Sequence, residues 1–142
     1  MIVPRHVIAG SQVTPPSDRI TLGFIGTGSM GGGHVRGFLK MPDVRILAIS
    51  DVRLENLERS QGAVNQQYGD STCGAHPDFR ELLARPDIDA VVIATGERWH
   101  PLVGIEAARR GKHMYCEKPL SVTLAEGLAL RAAVQKYGVV FQ

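Results

Sequence analysis

At 142 residues the chain is long enough for one domain with a real core, and 44% hydrophobic with 21% charged residues is an ordinary globular balance. A formal net charge of +2, with arginines scattered rather than interleaved with aromatics in a block, argues against a nucleic-acid partner. The longest apolar run of the body, Ala90-Val91-Val92-Ile93-Ala94, is too short to span a bilayer. Two cysteines without a Cys-x-x-Cys pair, and five histidines without tight spacing, predict neither a disulfide framework nor a metal site.

Residues 1–19 carry Pro4, Pro15 and Pro16 with Gly10, Ser11 and Ser17 and no sustained period, which predicts an extended arm. The arm has no charged start followed by an apolar stretch, so it is not itself a signal peptide. From residue 20 strands and helices alternate. Thr21 to Ile25 reads as a buried strand, Ser29 to Lys40 as a helix and Val44 to Ile49 as a second strand. Leu54 to Tyr68 has helical spacing, weakened by Gly62 and ended by Gly69-Asp70-Ser71. Asp78 to Leu83 predicts a short helix with the acid at its start, and Arg85-Pro86-Asp87 breaks the chain before the strand Asp89 to Thr95. Pro101 to Arg110 reads as a helix with proline in its harmless first turn and Gly111 as its stop. His113 to Cys116 is the next strand. Thr123 to Lys136 is a helix with a Thr123/Glu126 capping box and Leu124, Leu128 and Val134 inward, and Val139-Val140-Phe141 begins a further strand.

Strands separated by helices of this length imply right-handed crossovers and a parallel sheet covered on both faces. The predicted fold is α/β: a doubly wound Rossmann sheet in the order 3-2-1-4-5-6, occupying residues 20–142. Because Gln142 directly follows an apolar strand, a second domain is expected to be missing from this chain, leaving its packing surface exposed.

The most informative motif is Gly26-Thr27-Gly28-Ser29-Met30-Gly31, directly after a strand and opening a helix, with Asp51 twenty residues past the last glycine. Gly26 permits the tight turn, Gly28 lets backbone amides approach a pyrophosphate, and Gly31 lets the helix pack close to the strand. The helix N-terminus offers free N–H donors and partial positive charge to phosphates. Asp51 would accept from the adenosine ribose hydroxyls and favours NAD, since a 2′-phosphate would face its charge; Arg53 nearby keeps NADP open.

Glu117-Lys118-Pro119 follows the strand His113 to Cys116, and ligands of open α/β sheets sit outside the carboxyl ends of the strands. Lys118 there could exchange a proton with a substrate oxygen, or be a surface lysine in an ordinary turn. Glu117 is placed to orient its neighbours and to pair with Lys118. His34 has packing and ligand contact equally open, and His100 with Trp99 either meets the cofactor or caps the next helix from a surface loop. Cys116, Met30 and Met114 are read as packing side chains.

These residues resemble one family, the glucose–fructose oxidoreductase, inositol dehydrogenase and rhizopine-catabolism group (Gfo/Idh/MocA) of nicotinamide-dependent enzymes. The resemblance covers about residues 20–142. It rests on Gly26 to Gly31 with His34, on Ala94-Thr95 followed by His100, and on Gly111-Lys112-His113 leading into Cys116-Glu117-Lys118-Pro119-Leu120. It implies an oxidoreductase moving a hydride between nicotinamide and a sugar, cyclitol or related polyol, with Lys118 as the catalytic lysine. The implied cofactor set is Gly26, Thr27, Gly28, Ser29, Met30, Gly31, Asp51, Arg53, Thr95, His100, Glu117 and Lys118. It further implies a cis Lys118–Pro119 peptide, a C-terminal α/β domain that completes the substrate pocket, and a homo-oligomer formed through that domain. Without that domain the fragment is expected to be inactive. Gly96 stands where the family often has proline, which loosens that loop. An NAD-requiring glycosidase of the same superfamily and a non-catalytic nucleotide-binding fragment are the alternatives. The arm resembles the segment after the leader in members exported by the twin-arginine route. Location is therefore cytoplasmic, or periplasmic if such a leader precedes Met1.

Overall fold

A computed structural model describes residues 18–142, so the predicted arm falls almost entirely outside the described residues. The five strands β1 (Ile20–Ile25), β2 (Val44–Ser50), β3 (Gly74–His76), β4 (Ala90–Ile93) and β5 (His113–Cys116) form one sheet in the order β3-β2-β1-β4-β5, every pair parallel. The helices are α1 (Ser29–Phe38), α2 (Leu54–Tyr68), α3 (Phe79–Leu83), α4 (His100–Arg109) and α5 (Leu124–Tyr137). The chain reverses direction of travel across the sheet between β3 and β4, so β1 and β4 lie side by side at the switch point.

Alternation along the strands divides the core into two layers. Leu22, Phe24, Ile46, Ile49 and Val92 face Val35 of α1 and Leu57 and Val64 of α2. Ile25, Ala48, Val91 and Ile93 face Leu82 and Leu83 of α3, Val103 and Ala107 of α4 and Ala133 of α5. Both faces of the sheet are thus covered, which is what parallel strands with apolar runs require.

Local chemistry ends the helices. The α2 helix stops at Gly69, whose N–H makes the last helical bond to the Asn65 carbonyl and whose left-handed φ of 68° turns the Asp70 N–H back to the same carbonyl at 3.2 Å. Asp78 caps α3 by accepting from the Arg80 amide at 2.9 Å. Thr123 and Glu126 close the predicted capping box on α5.

Several expectations are corrected. The first helix ends at Phe38 rather than Lys40, because Lys40 and Met41 donate to carbonyls three residues back and tighten the chain into a turn. The β4 strand is shorter than Asp89 to Thr95. The β3 strand was not foreseen, since three residues (Gly-Ala-His) give no period to read. The last strand amounts to one parallel bridge between Phe141 and Met114, with neighbouring backbone bonds from Met114 to Val140 and from Gln142 to Met114. On α5, Leu124 and Leu128 face outward and Leu130 and Ala133 are the buried residues. A Cβ at Gly104 would lie 2.8 Å from Leu130 Cδ1, so close approach of α4 sets which face turns in. Met30 is exposed and does not pack in the core.

Lys112, buried just before β5, donates through Nζ to the carbonyls of Arg85 at 2.6 Å and Ile88 at 2.7 Å. It ties the break at residues 85–88 to the edge of the sheet. Burial pulls its ammonium below the ordinary lysine value, with the Asp87 and Asp89 charges opposing. No helix among the described residues is long and apolar enough to cross a membrane, and they contain no cluster of metal-ligating side chains.

Candidate functional site

A cavity of about 710 Å³ opens at the carboxyl ends of β1, β2 and β4, within the range of small-molecule sites. Gly26, Gly28 and Asp51 form one wall, Thr95, Gly96 and Trp99 another, and Pro77, Phe79 and Arg80 close the far end.

The glycine turn has the shape its sequence demands. Gly26 sits at φ 83°, and a Cβ there would come within 2.8 Å of the Thr95 amide nitrogen. At Gly31 a Cβ would lie 2.0 Å from the Gly26 carbonyl oxygen, so α1 can approach β1 only with glycine at this position. A Cβ on Gly28 would meet nothing within 4 Å. Packing does not explain that glycine; clearance toward the cavity does.

Gly28 caps α1 without a side-chain bond, and the first turn holds no acidic residue. The first helical bond runs from the Gly32 amide to the Gly28 carbonyl at 2.9 Å, so earlier amides have no partner within the helix. Free donors and an uncompensated dipole end therefore border a space kept clear by Gly28, a cradle suited to phosphate.

Asp51 supplies the complementary acceptor. Its Oδ2 accepts from the Thr27 amide at 2.7 Å and its Oδ1 from the Arg53 amide at 2.8 Å. Asn56 Nδ2 and the Thr27 hydroxyl stand farther off, at 3.3–3.5 Å. A carboxylate offers about four acceptor positions, so the two short bonds leave capacity toward the cavity it lines. The residues present fit a dinucleotide: amides and dipole for the diphosphate, a carboxylate for a ribose.

A second cluster stands beside this cavity. His100 is 1% exposed, with Nδ1 2.8 Å from the Pro119 carbonyl and Nε2 2.9 Å from the Thr95 carbonyl. Both neighbours are acceptors; a neutral ring donates to one of them and a doubly protonated ring to both. His100 thus joins the exit of β4 to the turn after β5 and is neither a surface residue nor a cavity wall. The Lys118–Pro119 peptide is cis.

Glu117 bonds His34 Nε2 through Oε1 at 2.6 Å and accepts the Lys118 main-chain N–H through Oε2 at 3.1 Å. The His34 contact, chiefly, holds its carboxyl below the ordinary glutamate value. The expected pairing of Glu117 with the Lys118 ammonium is replaced by this contact to α1. Among the described residues the ammonium has no bonded partner, and it is exposed. Burial pushes the Cys116 thiol up to about 12 and that of Cys73 to about 11, which disfavours the thiolate of both at neutral pH.

Of the predicted residues, Gly26, Gly28, Asp51, Arg53 and Thr95 line the cavity together. Thr27 and Gly31 are buried behind it, and Ser29 and Met30 lie exposed on the helix. His100, Glu117 and Lys118 form the neighbouring cluster, joined to the cavity through Thr95. Sequence reasoning missed Asn56, whose carbonyl accepts the Thr27 hydroxyl, and Arg59, which donates to the Thr27 carbonyl at 3.0 Å. It also missed the Pro77–Arg80 wall, for which the only signal was Asp78 capping a short helix.

Comparison with known proteins agrees with this geometry. Residues 20–142 match the family described as an oxidoreductase family with an NAD-binding Rossmann fold, Gfo/Idh/MocA. The uncharacterized oxidoreductase YrbE of Bacillus subtilis is 37% identical over 124 residues, covering 87% of this chain and 35% of that protein. A glycosyl hydrolase family 109 protein of Shewanella pealeana is 36% identical over 131 residues, covering 87% and 29%. The WlbA dehydrogenase of Bordetella pertussis, solved with NADH and UDP-GlcNAcA, superposes with a TM-score of 0.75 at 26% identity, over 87% of this chain and 36% of that one. The chain thus spans about a third of the length of these relatives. With the glycine turn, the Asp51 node and the parallel sheet in place, the chain belongs to the Gfo/Idh/MocA oxidoreductase family and carries its NAD-binding Rossmann fold.

Proposed function

We propose that residues 20–142 are the nucleotide-binding part of an NAD-dependent oxidoreductase acting on a sugar, cyclitol or related polyol, preceded by an arm over residues 1–19. The observation that carries this reading is the cavity shared by Gly28, the N-terminus of α1 and Asp51. The α1 amides bind the diphosphate, Asp51 accepts from the adenosine ribose, and Thr95 borders the path toward the lysine turn. NAD, when bound, supplies the hydride acceptor or donor. Lys118, whose ammonium is exposed and has no hydrogen-bond partner among the described residues, holds or takes the proton of the substrate hydroxyl. The substrate walls and the oligomer contacts come from a further domain of the kind the longer relatives have room for.

The full native protein, supplied with NAD and a panel of hexoses, inositols and UDP-N-acetyl sugars, is expected to produce NADH with at least one of them. Silence across the panel contradicts the reading. The likeness to family 109 hydrolases favours one second reading, an NAD-requiring glycosidase. Cleavage of aryl glycosides that depends on added NAD, with no net NADH, would establish it instead.

A further inference from the structure

No hydrogen bond or ion pair among the described residues holds the Lys118 ammonium, which feels the Glu117 carboxylate only through space, so the main chain of its turn sets where the side chain starts. That main chain is held from two sides. His100 meets the Pro119 carbonyl, and Glu117 accepts the Lys118 N–H. Glu117 is in turn fastened by His34, three residues past Gly31 on the helix whose N-terminus faces the cavity.

We propose that His34 is a positioning residue for Lys118, acting through Glu117, and that it fixes the lysine turn to the phosphate-facing helix α1. The inference rests on the reading of Lys118 as the proton-handling group. Three observations support it. The Nε2–Oε1 contact is short, at 2.6 Å, with both side chains largely shielded, at 23% and 13% exposure. The Tyr115 ring packs edge-on against the His34 ring at 5.5 Å, and its hydroxyl lies 3.5 Å from the same Oε1, so the imidazole is braced in one orientation. The two carboxylate oxygens are divided, one to His34 and one to the Lys118 amide, so the carboxylate cannot turn without losing one bond. The helix that binds the diphosphate and the turn that carries the lysine are thereby held at one spacing.

The test has two arms. In the chain itself, amide hydrogen exchange at Lys118 is compared between wild type and His34→Ala. Loss of the brace is expected to speed that exchange about tenfold while the β4 amides stay unchanged. In the full native protein, His34→Ala is expected to lower kcat on the best panel substrate roughly 10- to 100-fold, with the Kd for NADH within about threefold of wild type. His34→Gln, whose amide can still reach Oε1, should recover to within about fivefold, and the shorter His34→Asn should not. Because His34 acts through one contact, the His34→Ala/Glu117→Ala double variant should lose no more than Glu117→Ala alone. Unchanged Lys118 exchange, an unaffected kcat, or losses that multiply in the double variant overturn the proposal. Lys118→Ala separates the two levels: full activity there contradicts the role of Lys118 itself, whereas an inactive Lys118→Ala beside an unaffected His34→Ala removes only the part assigned to His34.

Discussion

The Asp51 carboxylate accepts the Thr27 amide at 2.7 Å, so the acid that faces the cavity also fastens the glycine turn to the end of β2. Donor cradle and acceptor are one mechanical unit. The other carboxylate oxygen takes the Arg53 amide at 2.8 Å, which fixes the residue that opens α2 as well. A ligand that used the turn and the carboxylate together would find both already set in place, with little ordering left to do on binding.

Asp51→Asn therefore has two expected effects. Replacing one carboxylate oxygen by an amide removes an acceptor from a main-chain N–H, at a cost of about 1–3 kcal/mol measurable by urea unfolding. It also removes a charged acceptor for the ribose, which should weaken NAD binding about 10- to 100-fold in calorimetry. The preference for NAD over NADP should shrink at the same time, because the charge facing a 2′-phosphate is gone.

Two glycine substitutions should move stability in opposite directions. Gly31→Ala drives a methyl against the Gly26 carbonyl oxygen, a backbone atom that cannot step aside, and is expected to lower Tm sharply and abolish NAD binding. Gly62→Ala lies in the interior of α2 with open space around it and should stabilise by about 0.5–1 kcal/mol, or roughly 2–4 °C in Tm.

His100→Phe leaves the partly buried Thr95 and Pro119 carbonyls without the ring that bridges them. With one donated bond lost from a partly buried acceptor, a loss of about 1–3 kcal/mol in urea unfolding is expected. A loss under about 0.5 kcal/mol would show that the ring does not tie the two loops together.

Acid should find the weak points of the fold. Glu117, held low chiefly by His34, and Asp89, held low chiefly by the Thr21 amide, both have folded values below the ordinary 4.5 and 3.8. A depressed carboxylate contributes stability that is complete above its unfolded value and disappears as pH falls through the folded one. Urea midpoints are thus expected to be flat in these groups' contribution above pH 4.5 and to fall below it, with Asp89→Asn removing part of the slope.

The parts legible in the sequence are those in which one residue type has one physical reason. Gly26, Gly31 and Gly69 were readable because a turn or close approach admits little else, and the Thr123/Glu126 box because both partners are local. The burial of α5 was not: its apolar residues run around the helix, so the period selects no face and packing against Gly104 decides. The β3 strand exists through its pairing with Ala48 to Ser50, a tertiary fact absent from Gly-Ala-His. The contacts of His34 to Glu117 and of His100 to Pro119 join residues 83 and 19 positions apart, and no local spacing announces them.

The most direct test is calorimetric titration of ADP-ribose into the wild-type chain and into Gly28→Val. If the cleared space beside Gly28 receives the diphosphate, the wild type binds and the variant, whose Cβ meets no protein atom within 4 Å and whose methyls occupy that space, loses at least tenfold in affinity. Equal binding by both proteins, or binding by neither, would contradict it.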